Sequence, residues 1–269
     1  MGVCLMVDLR LKHWHPTAAY LYILHLERPA LAWEYLRRHP EYRHDWLHRR
    51  QRPDAAQTWG LRLLEDPALD ARDAHPIWFP DSYGVHLYPD ADPMPEALLF
   101  TLWRIPGNKY LIHDGVRLVL RMRWPGGCLR LALAPSLADG MAYVYAVRAG
   151  ADLLALEQAL TLEMNKLALA SDAIPIAVVR PRPALSALQE MHTLQALDAT
   201  LAGASLRDIA EGLFGTQVVA RDWHADGALR ARMRRLVRRG ETLMRGGYRR
   251  LAQLAAPVQG RSASLAKRP

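Results

Sequence analysis

One stretch of the chain decides how the fold is interpreted, residues 205–250, SLRDIAEGLFGTQVVARDWHADGALRARMRRLVRRGETLMRGGYRR. Ser205 and Asp208 stand at the spacing of a capping box, in which the hydroxyl and the carboxylate each bond a free backbone N–H. The next apolar residues recur at i, i+3, i+4, i+7 and i+8, which places them on one stripe of a helix; they are Leu206, Ile209, Ala210, Leu213 and Phe214. A short amphipathic helix is therefore predicted directly after Ser205.

Glycines divide the rest of the stretch. Helices are predicted over 184–201, 205–213, 216–223 and 227–245, separated at Gly203, at Gly215-Thr216 and at Asp226-Gly227. Short helices joined by tight turns are typical of a helix-turn-helix module. The segment from Phe214 to Gly227 is longer than the turn that usually joins the two helices of such a module. Either the 216–223 helix reads the groove and the last helix holds phosphates, or the last helix itself enters the groove, which is the preferred interpretation.

Arginines cover one side of that last helix. At 100° per residue its apolar residues share one sector and its arginines fall around the opposite one. Residues 221–250 hold ten arginines against three acidic residues, a net +7, whereas the whole chain carries a net charge of +8. Such a basic segment on a near-neutral protein indicates a polyanion partner. The predicted DNA-binding residues are Thr216, Gln217, Arg230, Arg232, Arg234, Arg235, Arg238, Arg239, Arg249 and Arg250.

The N-terminal part reads as helical from Thr17 to about Arg50, with a break at His39-Pro40. Its aromatic residues alternate with arginines, a pattern that fits a second nucleic-acid surface or a packing and protein-contact module about equally well; the aromatics are Trp33, Tyr35, Tyr42 and Trp46. Residues 53–95 hold seven prolines and are predicted to connect domains with little regular structure.

Strands are predicted between 97 and 147. Apolar runs cover Leu98–Ile105 and Tyr110–Ile112, and residues 116–124 alternate, which predicts a wet face carrying Arg117, Val119, Arg121 and Arg123. Pro125-Gly126-Gly127 predicts a turn into a partner strand over 128–134, and helix resumes near Asp152. The expected fold class is α+β, with N-terminal helices, a small antiparallel sheet and a C-terminal helix-turn-helix domain.

The domain boundaries follow from these patterns. We expect a helical transcriptional-regulator-like domain over 1–60, a proline-rich connector over 61–96, and a sheet with a helix over 97–175. A DNA-binding helix-turn-helix domain is expected over 176–250, and a basic disordered tail over 251–269.

Several classes of protein are disfavoured. The 269 residues contain no run of about 20 apolar residues, which a membrane span requires. Charged residues interrupt the apolar run near the N-terminus, so this run does not fit the pattern of a signal peptide. Two cysteines cannot build a disulfide framework, so a reduced cytoplasmic protein is expected. His44 and His48 have the i, i+4 spacing of zinc ligands, but Asp45 is too short for the general base and a third ligand is missing. Neither an enzyme, a metal nor a cofactor is expected, and Cys4 and Cys128 are interpreted as inert thiols.

The sequence also resembles a bacterial domain-of-unknown-function family with a C-terminal helix-turn-helix. The residues that carry the resemblance are the run 209–215 (IAEGLFG), Trp223, the arginine-rich run 229–236 and Gly246-Gly247-Tyr248-Arg249. The run 32–43 (AWEYLRRHPEYR) resembles a transcriptional-regulator-like domain found with that family, although Tyr35 and His39 replace the expected Phe and Asn.

The resemblance implies a DNA-binding activator that switches on excision and transfer of integrative and conjugative elements. Its implied partners are double-stranded promoter DNA, RNA polymerase and a small anti-activator protein, with no membrane. The alternative is a non-DNA-binding anti-activator or adaptor that acts through protein contacts alone.

Overall fold

In the computed structural model, the described residues are 14, 17–52, 54–79, 85–104, 108–113, 118–124, 127–146, 161, 183, 185–224 and 227–252. The helix expected near Asp152 and the tail expected beyond 252 lie outside these ranges. The chain forms two compact units, residues 1–80 together with 183–269, and residues 81–182. None of the helices in the described ranges has the length and apolar character needed to cross a bilayer.

The first unit contains a series of short N-terminal helices, and His39 and Pro40 fix the start of one of them. A 3₁₀ helix over Thr17–His25 precedes α1 (Arg28–Leu36), α2 (Pro40–Leu47) and α3 (Ala55–Thr58). Pro40 occupies the first turn of α2, where a missing N–H costs nothing, and His39 caps that helix by accepting from the Glu41 N–H at 3.2 Å. The predicted break at His39-Pro40 is therefore confirmed as the boundary between α1 and α2.

The C-terminal helices of this unit follow the predicted pattern closely. They are α4 (Leu185–Leu201), α5 (Leu206–Phe214), α6 (Thr216–Asp222) and α7 (Ala228–Thr242). A π-helical turn over Leu243–Gly247 and a short α8 (Tyr248–Leu251) complete the chain as far as it is described. Gly246, at φ 143°, supplies the kink before α8, since a residue with a Cβ rarely adopts that angle.

Helix α4 separates two apolar cores. Leu194 and Leu197 pack with the N-terminal helices, the π-helical turn and α8, in a core that contains Trp33, Leu36 and Tyr248. The opposite core of the same unit packs α4 against α5, α6 and α7, and its buried members are Trp14, Ala196, Ala199, Ile209, Ala210, Val219, Met233 and Leu236. The N-terminal helices and the C-terminal helices α4 to α8 thus belong to one packed unit.

A buried ionic cluster ties α4 to the N-terminal helices. Arg38 places two nitrogens on the Asp198 carboxylate at 2.6 and 2.8 Å, and it also pairs with Glu34 at 2.6 Å. The Tyr20 hydroxyl donates to Asp198 at 2.7 Å. Every buried charge in this cluster has an opposite partner, as burial in a medium of low dielectric requires.

The second unit contains a five-stranded sheet in the order β2-β3-β4-β1-β5. The strands are β1 (Val85–Pro89), β2 (Asn108–His113), β3 (Leu118–Trp124), β4 (Gly127–Leu133) and β5 (Tyr143–Ala146). The predicted hairpin between β3 and β4 is present, and the α+β class is confirmed. The β1 and β4 strands pair in parallel, whereas an entirely antiparallel sheet was expected. Parallel neighbours need a long connection and so leave no turn signal in the sequence.

Three local predictions for this unit were wrong. Val85–Pro89, assigned to the connector, is a strand in the sheet, because its proline lies at the strand end, where a missing donor is tolerated. In place of the predicted strand over Leu98–Ile105, residues 98–104 form a single bridge from Leu99 to Ala142 and then a 3₁₀ turn over Leu102–Arg104, while Ile105 lies outside the described residues.

The third error concerns the face of β3 that was predicted to be wet. Val119 and Arg121 are 1% and 6% exposed there, whereas Arg117 and the side chain of Arg123 lie outside what is described. Strict alternation implies one solvated face, but β3 has a neighbour on both edges and its centre is buried on both faces.

Candidate nucleic-acid interface

The candidate interface is built on α5, which starts with the capping box. The Ser205 hydroxyl accepts from the Asp208 N–H at 3.2 Å, and the Asp208 carboxylate accepts from the Ser205 N–H at 2.8 Å. Both bonds are the predicted ones. Because they satisfy donors that the helix leaves open, α5 has a fixed beginning.

A single residue joins α5 to α6. Gly215 has φ 86°, a left-handed conformation that favours glycine, and Val219 on α6 is buried in the shared core. Thr216 and Gln217, two of the predicted DNA-binding residues, are exposed on the first turn of α6. The junction is therefore tighter than the usual three- or four-residue turn between paired helices.

Helix α7 packs on α4 through its apolar side. Met233 and Leu236 are buried there, and Gly240 allows a close approach: a Cβ at that position would lie 3.0 Å from the Leu197 Cβ and 3.2 Å from the Thr193 carbonyl. This contact fixes which side of α7 faces outward. The predicted division of the helix into an apolar and a basic side is confirmed.

The outward side carries what we call the arginine face, composed of Arg232, Arg234, Arg235 and Arg238, all exposed. Among the described residues, Arg234, Arg235 and Arg238 have no ion-pair partner. Arg234 and Arg238 stand at i, i+4, a spacing at which like charges repel by a few tenths of a kcal/mol. The face is a concentration of uncompensated positive charge.

Arg232 differs from its neighbours because its guanidinium lies 4.7 Å from the centre of the Phe214 ring, at the end of α5. The same ring contacts the His192 ring edge-on, with 5.7 Å between centroids. Burial, reinforced by the charge of Arg232, lowers the pKa of His192, so this histidine is neutral at pH 7. The stack orients Arg232 without neutralising it.

Arg239 and Arg249, both predicted site residues, are bonded to other elements of the unit. Arg239 forms an ion pair with Glu190 of α4, and Arg249 donates to the Thr58 carbonyl. Arg250 is exposed and Arg230 is half-buried. Sequence reasoning did not identify Glu190, and no local signal could, because 49 residues separate it from Arg239.

The other candidates from the sequence have structural roles. Asp45, considered as a zinc-site base, accepts from Arg52 at 2.6 Å and from the Trp59 indole at 2.9 Å. His44 and His48 stack with ring centres 4.2 Å apart, and in the described part of the chain no three His, Cys, Asp or Glu side chains are grouped as metal ligands. Cys4 and the Cys128 side chain lie outside what is described.

Burial separates the two interpretations of the N-terminal aromatics. Trp33, Tyr35 and Tyr42 are each 0% exposed. Only Trp46, half-buried beneath the Arg49 guanidinium at 4.0 Å, remains partly accessible. Stacking of bases requires an exposed ring face, so these residues favour the packing module.

Three family models match parts of the chain. Residues 13–63 match a proteobacterial transcriptional regulator-like domain, and residues 82–129 match a domain of unknown function (DUF7011). Residues 148–253, which include α4 to α8, match a family described as "T6SS, Transcription factor, DNA binding domain". No curated protein matches the chain. The first and third matches indicate a DNA-binding transcriptional regulator and point away from an enzyme.

Proposed function

We propose that this chain is a DNA-binding transcriptional activator that holds the duplex with the arginine face of α7. One observation carries the proposal: Arg234, Arg235 and Arg238 are exposed, lack acidic partners among the described residues, and lie inside the segment matched to a DNA-binding family. Guanidinium groups pair with phosphates through two parallel hydrogen bonds, and they also match the edge of guanine.

The proposed module is a variant of the helix-turn-helix in which α5 and α6 support α7. Helix α7 has 15 residues, so it extends about 22 Å and can lie along a groove, whereas α6 has only seven. Thr216 and Gln217 at the start of α6, with Arg230 and Arg250, are proposed as secondary contacts. Arg239 and Arg249 are left out of the primary set because both already have partners.

The proposed targets are promoters of conjugative-transfer or other mobile-element genes, where RNA polymerase would be recruited and a small anti-activator would oppose it. The family description instead names T6SS, so both gene classes are compared directly. Sequencing of DNA captured with the protein in cells identifies its sites. Reporter fusions to those promoters then distinguish activation from repression.

The binding mechanism is tested with fluorescence anisotropy of a labelled duplex at several salt concentrations. Because each phosphate contact contributes about 0.9 to the slope of log affinity against log salt, Arg234→Ala with Arg235→Ala should make the slope about 1.8 shallower and weaken binding. The matched control, Arg28→Ala with Arg50→Ala, removes two exposed charges elsewhere in the unit and should keep the wild-type slope.

If the DNA affinity of the wild-type protein did not change with salt concentration, the mechanism would be ruled out. Equal slopes for wild type and the α7 double variant would remove α7 from the interface. A chain that leaves every duplex unbound while it captures a regulator protein would instead be the adaptor.

A further inference from the structure

Glu190 lies at the border between the N-terminal helices and α7. Its side chain is 13% exposed, and its two oxygens have different partners. The Tyr35 hydroxyl, from α1, donates to one oxygen at 2.6 Å, and the Arg239 guanidinium bonds the other. One carboxylate of α4 thus connects the segment matched to a regulator domain with the helix of the arginine face.

Arg239 lies on the same side of α7 as the arginine face, but its guanidinium is paired with Glu190. It follows Arg235 by four residues and Arg232 by seven, so it lies on the same side of α7 as both. Its side chain is 42% exposed, so the guanidinium can be reached from solvent. Glu190 already supplies the negative charge that a phosphate would offer this arginine.

We propose that Glu190 is an intramolecular competitor of DNA, which holds Arg239 back from the phosphate backbone and is itself held in place by Tyr35. This inference rests on the proposed function and adds a regulatory element to the same surface. The competition favours the internal pair, because a phosphate that captured Arg239 would leave a largely buried carboxylate with one hydrogen bond.

Tyr35 makes the competitor dependent on the N-terminal helices. Burial, and then the charge of Glu190 and the hydrogen bond to it, raise the pKa of the Tyr35 hydroxyl, so it remains a proton donor at neutral pH. Displacement of α1 from α4 would remove this donor and loosen the hold of Glu190 on Arg239. A partner that binds the N-terminal helices could therefore change DNA affinity without touching DNA.

The test compares full-length variants in the same anisotropy titration on a labelled mixed-sequence duplex. Glu190→Gln should free Arg239 for one more phosphate and make the salt slope about 0.9 steeper. Glu241→Gln, on α7 itself, is the matched control: it removes the same charge without releasing an arginine and should leave the slope near the wild-type value. Adding Arg239→Ala to Glu190→Gln should cancel the gain.

A second set of variants covers the case in which Glu190→Gln fails to fold, as judged by circular dichroism. Arg235→Ala should make the slope about 0.9 shallower, and Arg239→Ala should remain closer to wild type. The proposal is overturned if the salt slope of Arg239→Ala is as shallow as that of Arg235→Ala. It is also overturned if a folded Glu190→Gln does not have a steeper slope than wild type, or if the Glu241→Gln control steepens the slope as much as Glu190→Gln does. A wild-type chain without salt-dependent binding overturns the proposed function first, so the two failures are distinguishable.

Discussion

At the scale of single residues, the Asp198 carboxylate accepts three hydrogen bonds from the N-terminal part of the chain, two from Arg38 and one from Tyr20. Burial alone would raise the pKa of Asp198, but the charge of Arg38 and these hydrogen bonds hold it below its ordinary value. The pKa of Glu34 is lowered in the same way, against its own burial, by Arg37 and Arg38. Both groups are therefore more acidic in the folded chain than in the unfolded one.

This difference predicts an acid-sensitive fold. A carboxyl group whose pKa is lower in the folded state than in the unfolded state stabilises the fold fully at pH values above the unfolded pKa, which is near 4. This stabilisation is lost as the pH falls from there through the folded pKa. Urea unfolding at pH 7, 5 and 3.5 should show little change between the first two and a marked loss at the third.

Asp198→Asn should lower the free energy of unfolding at pH 7 by about 3 kcal/mol, because it leaves Arg38 buried with one carboxylate fewer. The same variant should flatten the pH dependence. Asp222→Asn, which removes the partner of exposed Arg221, is the surface control and should change stability much less. Equal losses for the two variants would contradict the role given to the buried cluster.

At the scale of elements, α5 depends on its capping box because the helix has only nine residues and isolated helices of that length are marginal in water. Ser205→Ala should lower the free energy of unfolding by about 1 kcal/mol, as measured by urea denaturation. Ser205→Asp retains a side-chain acceptor at the cap and should restore most of the loss. An alanine variant as stable as wild type would show that tertiary packing alone fixes the helix.

At the scale of the whole molecule, the segment matched to the DNA-binding family does not enclose its own core. Leu194, Leu197 and Tyr248 pack against residues of α1, and the Trp14 ring lies against Gly212 of α5. An isolated fragment of residues 148–253 would expose this apolar side of α4. We expect it to unfold without a cooperative transition or to aggregate.

Calorimetry of the fragment beside the full chain checks this expectation, because two-state unfolding gives a single sharp transition. Adding residues 1–80 as a separate polypeptide should restore a cooperative transition, since it returns the missing side of the core. A fragment that melts cooperatively by itself would show that the two matched regions are independent domains.

The sequence alone determined the C-terminal helices, because their signals are local. The cap of α5 needs residues three apart, the turn at Gly215 needs one residue, and the two sides of α7 follow from a period of 3.6. The candidate arginines could be found for the same reason. The sheet was predicted only where a hairpin connects neighbours in sequence, as between β3 and β4.

Only the tertiary structure decided the contacts between residues far apart in the chain. It paired β1 with β4 in parallel, buried Val119 and Arg121 on the face expected to be wet, and joined Arg239 to Glu190 and through it to Tyr35. No periodicity or spacing encodes such a pairing, because its free energy depends on which surfaces meet after folding and on how much water is removed from them. Which arginines remain available to a ligand is therefore a property of the packed molecule.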